Sequence, residues 1–378
     1  MKKKVITTSV LALALAMTGC SMVSKSNRAY DDSVKHFDYA SDEIDFSEQA
    51  QVYMEYIGTN MKNRSAGIST QHDKARDWIV AELQHAGYKE DQISLQEIKG
   101  KGGENIILEI QGSDTEHCII AGAHYDGDGV GDNASGVALL LATAVGLKQH
   151  ELPVTTVFVF FDEEESGCFG SQAFVEEFPE DRLSSVMYFI NIDAIAFGDY
   201  CNTYGGIQDA ETKEITQTEI YEYACDRARY LGFNVYGTEA LDGYFAEHGE
   251  GPALDPKGIF TNPWTVLNPA PENTVPDEYH AYSPTTIPAS DHIYFAWKGI
   301  PYVYFEATSW YVPDPDNPDM SYIGYSDVSD VSLGENGCIM NTKYDNLDYL
   351  NEHFPGRSLE HFRLYSPILS ELILEPYS

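Results

Sequence analysis

Short apolar runs of strand length alternate with helix-length segments along much of this 378-residue chain, and that alternation constrains its fold more than any other feature. Asn105 to Ile110, Cys118 to Ala123, Val154 to Phe161, Val186 to Ile192 and Pro301 to Phe305 read as buried strands. Helical spacing fills the intervals at Gly136 to Leu147, near Ser171 to Glu177 and from Lys213 to Leu231. Two more helices are expected between Phe46 and Gly87, the second closing on Ala86-Gly87, and an amphipathic helix is expected from Ser358 to Leu374. Near-continuous apolar strands separated by helices belong to an α/β fold with a mainly parallel, mixed central sheet flanked by helices on both faces. The segment from Gly232 to Ala289 breaks the pattern with Gly, Pro, Asn and aromatic residues, as a long functional loop does.

Charge excludes one class of partner. The 60 acidic residues outnumber 23 basic ones for a formal charge of −37, a field that repels phosphate backbones, so no nucleic-acid partner is expected. Most of these carboxylates belong to solvated surface. The first residues, Met1 to Lys4, are basic, and Val5 to Met17 is an apolar run of about 13 residues, too short to span a bilayer but typical of a secretory signal. The following Met17-Thr18-Gly19-Cys20 resembles a bacterial lipobox, with Met17 where Leu is usual. That resemblance implies a lipid on Cys20 and a place on the outer face of the cell membrane. The expected organisation is a lipoprotein signal peptide over 1–19, a tether over 20–45 and one domain over 46–378. Of the remaining cysteines, Cys118 and Cys168 read as packing residues. Cys201, Cys225 and Cys338 show no framework spacing, although one bridge among them stays open.

In an open parallel sheet, ligands gather beyond the carboxyl ends of the strands, so polar residues that close apolar runs are the ones to inspect. Four segments qualify. His124-Tyr125-Asp126 leads through a glycine-rich stretch to Asp132-Asn133-Ala134-Ser135-Gly136. That loop carries Asp126, Asp128 and Asp132 and no Lys, so it suits a cation better than a phosphate. Asp162-Glu163-Glu164-Glu165 ends the next strand, and like charges so close repel unless something positive lies between them. Asp193 closes a third run, and Ser290-Asp291-His292 precedes an apolar stretch. Imidazoles at His124 and His292 with carboxylates at Asp132, Glu165 and Asp193 suit Zn2+. Five ligands are too many for one catalytic zinc that keeps a position open, whereas two ions sharing a bridging carboxylate accommodate them.

The same ordered set, with Gly167, Gly170-Ser171, Gly299-Ile300-Pro301 and Glu306, resembles the zinc aminopeptidases of peptidase family M28. The resemblance runs through most of the chain after Phe46 and implies a zinc-exopeptidase fold. It implies that Asp132 bridges two Zn2+ ions, that Glu165 and His292 complete one site, and that His124 and Asp193 complete the other. It further implies Glu164 as general base and Asp126 as the group orienting His124. The family spacing places Gly two residues after the metal-binding Glu and Gly-Ser five and six after it. Only Glu165 satisfies this; the alternative register lies one residue earlier. The mechanism so implied uses a water lowered to near-neutral pKa between the metals, with Glu164 passing its proton to the departing amine. The expected substrates are peptides with a free N-terminus, whose α-amino group an acidic pocket favours.

Two rival readings remain: a glutaminyl cyclase-like acyltransferase with one zinc, and a non-catalytic binding module on the same fold. A metallo-carboxypeptidase or dipeptidase would need more ordered structure between Asp193 and His292. Tyr236, Tyr244, Phe245, Trp264, Tyr279 and Tyr282 lie in that stretch and are candidates for a substrate-pocket wall.

Overall fold

In the computed structural model, which describes residues 20–22, 29–65, 69–208, 215–216, 219–233, 235–236, 259–261, 290–308, 327–328 and 330–377, the apolar runs pair into one mixed sheet. Its strands are β1 (Cys20–Met22), β2 (Ile93–Glu97), β3 (Glu104–Ile110), β4 (Asp114–His124), β5 (Val154–Phe161), β6 (Val186–Ile192), β7 (Tyr200–Gln208), β8 (Ile215–Thr216), β9 (Val235–Tyr236), β10 (Ile259–Thr261) and β11 (Tyr302–Thr308). Their order is β1-β2-β3-β5-β4-β6-β11-β7-β10-β9, with β8 on β7. The four central strands β5, β4, β6 and β11 run parallel. Antiparallel β3 and β7 flank them.

Parallel neighbours cannot be joined by a tight turn, so the chain crosses over through helices. Between β4 and β5 it forms α3 (Ala134–Gly146), and between β5 and β6 it forms α4 (Phe169–Glu177) and α5 (Glu180–Leu183). The remaining helices are α1 (Ser47–Asn60), α2 (Thr70–His85), α6 (Glu219–Tyr230), α7 (His292–Trp297), α8 (Leu347–His353) and α9 (Arg357–Leu374). Successive strand residues point to opposite faces, and the core divides accordingly. Ile119, Ala121 and Ala123 of β4, with Phe158 and Phe160 of β5, pack toward α1, α2, α3 and α9. Cys118 and Ile120, with Val157, Val159 and Phe161, pack toward α4 and α7. There Phe295 of α7 stacks on Phe189 of β6 with centroids 3.9 Å apart. Helix α3 is buried nearly all round, which explains its run of Ala and Leu without a charged face.

The expected α/β architecture is present, with three local differences. Six strands lie outside the sequence expectation: β1, β8, β9 and β10 are only two or three residues long, β9 and β10 falling inside the segment from Gly232 to Ala289 expected as a loop, while Ile-Ser-Leu-Gln-Glu of β2 is short and Tyr-Cys-Asn-Thr-Tyr-Gly-Gly-Ile-Gln of β7 has too few apolar residues to mark a buried strand. The helix expected from Lys213 starts at Glu219, after the short strand β8. The segment expected as a tether packs on the body at both ends: Cys20–Met22 pairs antiparallel with β2, and farther along Val34 is buried, the Phe37 N–H donates to Gln49 Oε1, and His36 Nε2 lies 2.7 Å from Glu82. Residues 1–19, read as the signal peptide, lie outside the described residues, as do Tyr244, Phe245, Trp264, Tyr279 and Tyr282 of the expected wall; Tyr236 ends β9. Cys118, Cys168, Cys201, Cys225 and Cys338 are all free thiols. Among the described residues no helix is long and apolar enough to cross a membrane.

Because α3 supplies packing to the sheet and to α1 at once, truncating its fully buried Leu140 leaves a cavity the surroundings cannot close. Leu140→Ala is expected to lower unfolding free energy by about 2–5 kcal/mol in urea titration.

Candidate metal centre

The carboxyl ends of the three adjacent strands β5, β4 and β6 bring their closing residues to one place. His124 is the last residue of β4, Asp162 follows β5 and Asp193 follows β6. His124 Nε2 lies 3.0 Å from Asp132 Oδ1, 3.3 Å from Asp193 Oδ1 and 3.9 Å from Glu164 Oε2. Ligand-capable atoms of His124, Glu164 and Asp193 all fall within 4.8 Å of one another. His124, Asp132, Glu164 and Asp193 are buried while Glu165 is exposed, and among the described residues no Lys or Arg forms an ion pair with Asp132, Glu164, Glu165 or Asp193.

Local backbone geometry accounts for this convergence. Asn133 caps α3 by accepting from the Gly136 N–H, and its amide donates to Ile192 O. Ser135 Oγ donates to Gly131 O and accepts from Ile195 N. The Asp132–Gly136 segment is thereby tied to the end of β6, beside Asp193. After β5 the chain turns sharply: the N–H groups of Gly167 and Cys168 both donate to Glu164 O. Gly167 has φ +121°, and a Cβ at Gly170 would collide with the carbonyl oxygen of Asp162. The two glycines therefore answer to separate demands, one for a left-handed backbone and one for close approach.

This turn separates four consecutive acids. Asp162 faces away from the centre, accepting from Tyr125 Oη, the Glu104 N–H and buried His72. The Glu163 N–H donates back to Asp162 Oδ1. Glu164 and Glu165 line a cavity of about 360 Å³ together with Asp132 and Asp193. The backbone N–H groups of Glu164 and Glu165 point to the two oxygens of Asp126, at 3.2 and 3.3 Å. Asp126 Oδ1 also lies 3.3 Å from His124 Nδ1, close enough to hold the ring though off the hydrogen-bond axis. His292, at the start of α7, is buried between Tyr302 and Tyr304, with ring centroids 4.7 and 5.0 Å away, and its Nδ1 has no protein partner. Ser290 beside it donates to Asp193 Oδ2.

The donor set fits a divalent cation. Burial, with Asp193 beside it, pushes the Asp132 carboxyl up. Burial and neighbouring Asp132 push Glu165 up to about 8. Glu164 is raised well above the carboxylate range by burial and then by Asp193 and Asp291. On His124, burial disfavours charge, but Asp193 and Glu164 outweigh it and raise the imidazole well above its ordinary value. Each shift reports a buried anionic cluster that needs positive charge. Asp132 Oδ1 has no contact of good hydrogen-bond geometry, its 3.0 Å approach to His124 Nε2 lying off the axis, and Asp291 is fully buried nearby.

Several supporting residues escaped the sequence reading. Asp345 accepts from the N–H groups of Val130, Gly131 and Asp132, at 2.8, 2.6 and 3.1 Å. Asn341 donates to Asp132 Oδ2, and buried Arg64 donates to the carbonyls of Met61, Tyr125 and Gly129. Their separation in sequence, more than 200 residues for Asp345, left no local signal. Cys168, read as packing, lines the cavity and donates from Sγ to Glu164 Oε1. Ile293, Tyr294, Trp297 and Met340 form the cavity's apolar side.

Residues 105–281 match the model of peptidase family M28. That match encloses His124, Asp132, Glu164, Glu165 and Asp193 and ends before His292. The "Probable lipoprotein aminopeptidase LpqL" of Mycobacterium tuberculosis is 35% identical over 108 residues, 27% of this chain and 21% of that protein. The chain thus spans about a fifth of that relative's length. A leucine aminopeptidase precursor from Bacteroides thetaiotaomicron superposes with TM-score 0.53 at 14% identity, covering 92% of this chain and 99% of the other. A glutaminyl cyclase from an Acidobacteriales bacterium superposes with TM-score 0.52 at 16% identity, covering 91% and 99%. At these identities the two structures share the fold alone, and the fold does not choose between their activities.

Asp345→Ala leaves three buried N–H groups without an acceptor and is expected to cost about 3 kcal/mol or more in urea unfolding, whereas Asp345→Asn retains a carbonyl and loses less. A second expectation follows from the raised carboxyls. Their folded values exceed the unfolded ones, so the metal-free fold holds the extra protons and is most stable below the unfolded values. Stability is then lost as pH rises toward about 8, the value for Glu165. Melting of chelator-treated chain between pH 5 and pH 8 should show this decline, and added Zn2+ should flatten it.

Proposed function

We propose that this chain, carrying an M28 peptidase segment over residues 105–281, is an exported zinc aminopeptidase that removes N-terminal residues from peptides. The observation that carries the reading is the buried imidazole of His124 set within 3.0 to 3.9 Å of carboxylate oxygens from Asp132, Asp193 and Glu164. In this reading His124, Asp132 and Asp193 would hold one zinc ion, and Asp132, Glu165 and His292 would hold a second. Bound there, zinc would supply water of lowered pKa and polarise the scissile carbonyl.

The rest of the work falls to the chain itself. Glu164 accepts the proton of the attacking water and delivers it to the departing amine, a role suited to a carboxyl whose proton affinity burial has raised. Cys168 Sγ holds one Glu164 oxygen and leaves the other facing His124. Asp126 keeps the His124 ring in orientation and, through the N–H groups of Glu164 and Glu165, sets the backbone on which base and ligand sit. Buried carboxylates at the cavity floor attract the substrate's α-ammonium, which favours attack at the first peptide bond. The side chain of that first residue lies against Ile293, Tyr294, Trp297 and Met340. A lipid on Cys20 would keep the enzyme at the outer face of the membrane, the expectation raised by the N-terminal sequence.

The test pairs Leu-p-nitroanilide turnover with elemental analysis on the parent and on Glu164→Ala. Turnover is expected to fall about 10²–10⁴-fold in the variant while about two zinc per chain are retained. One zinc without release of free amino acids would shift the reading to a glutaminyl cyclase-like acyltransferase, and absence of metal would shift it to a binding module.

A further inference from the structure

A second cavity, of about 490 Å³, opens on the other side of Glu165 and Asn341, which line both cavities. Its floor is the Gly127–Val130 loop, and its rim carries Lys62 from the end of α1 and Lys343 from the 341–346 segment. Two ammonium groups on one rim are unusual in a chain with 23 basic residues against 60 acidic ones. Both lysines are exposed, and neither forms an ion pair among the described residues. Lys343 Nζ lies 4.9 Å above the Tyr344 ring, which limits where the ammonium can go. Of the acids lining the same space, Asp345 is occupied by three backbone N–H groups, and Glu165 borders the metal centre. Asp128 and Glu165 are both exposed, and Asp128 takes Ser65 Oγ at 3.5 Å.

We infer that this second cavity receives the portion of the peptide that departs, and that Lys62 and Lys343 select a carboxylate on its first residue. The inference rests on the aminopeptidase reading for orientation. With the first residue's side chain against the apolar wall and its ammonium at the acidic floor, the chain beyond the scissile bond must leave past Glu165 and Asn341. A dipeptide presents its C-terminal carboxylate there, and a longer peptide presents an acidic side chain at its second residue; both offer the anion that the two lysines lack. Short or acidic peptides are therefore the substrates this site distinguishes from neutral ones. Ammonium–carboxylate pairs at an open rim are modest and screened by salt, so the preference is a few-fold rather than absolute.

The experiment measures binding, so it does not depend on turnover. Leu-Gly, Leu-Gly-amide and Leu-Asp-amide are titrated calorimetrically into the zinc-loaded Glu164→Gln chain, and into the same chain carrying Lys62→Ala and Lys343→Ala. Leu-Gly and Leu-Asp-amide are expected to bind about three- to ten-fold more tightly than Leu-Gly-amide, with the difference removed by the double substitution and reduced in 0.5 M NaCl. A preference for Leu-Gly alone assigns the site to dipeptide C-termini, and one for Leu-Asp-amide alone assigns it to acidic side chains. Equal binding of all three ligands, or a preference that survives loss of both lysines, overturns the inference. Loss of p-nitroanilide turnover in the parent would overturn the aminopeptidase reading instead, and leaves this comparison readable.

Discussion

Like charges crowded around one buried imidazole set the terms for the rest of this structure. Asp132, Glu164 and Asp193 approach His124 where water cannot screen them, and burial first, then the nearby Asp193, raises the proton affinities of Asp132 and Glu164. A fold tolerates such a cluster only if its backbone is held rigidly and a cation or proton is available. Three parallel strands with adjacent carboxyl ends meet the first condition, because β4 is paired with β5 through His124 and with β6 as far as Gly122.

Rigidity is extended by polar residues that act on backbone rather than on one another. Asp345 gathers three consecutive N–H groups ahead of Asn133, Arg64 gathers carbonyls of the preceding loop, and Asp126 gathers the N–H groups of Glu164 and Glu165. Each buried polar group is satisfied by fixing a segment that bears a candidate ligand, so the demand for hydrogen bonding and the demand for positioning coincide. Asp327 does the same for the segment that carries Asn341, accepting from the Ile339 and Met340 N–H groups. The 327–346 region thus supports the centre, although it contains none of the five expected ligands.

The cavity itself is asymmetric. Carboxylates form its floor, while Ile293, Tyr294, Trp297 and Met340 form an apolar side. A peptide N-terminus joins a cation to a side chain, and this asymmetry separates the two. The neighbouring cavity sets Lys62 and Lys343 among Asp128, Glu165 and Asp345, so positive charge enters the lining only there.

The alternation of apolar strands with helices, and the acids or histidines that close those strands, were legible because both are local: strand burial demands a continuous apolar run, and the turn that follows must be polar. His124, Asp193 and the acidic run after β5 stand out this way, whereas the register within that run rests on the glycine spacing of the family it resembles, at positions where the structure has a left-handed turn at Gly167 and a close approach at Gly170. Strand β7 was missed because its Gly-Gly and polar residues resemble a loop, and it pairs with β11 only once distant segments meet. Asp345, Asn341, Arg64 and the cavity-facing thiol of Cys168 carried no local pattern at all. Their roles exist only because the tertiary fold brings a carboxylate, an amide, a guanidinium and a sulfur within hydrogen-bond reach of a loop or a base that the linear chain keeps far away or leaves undirected.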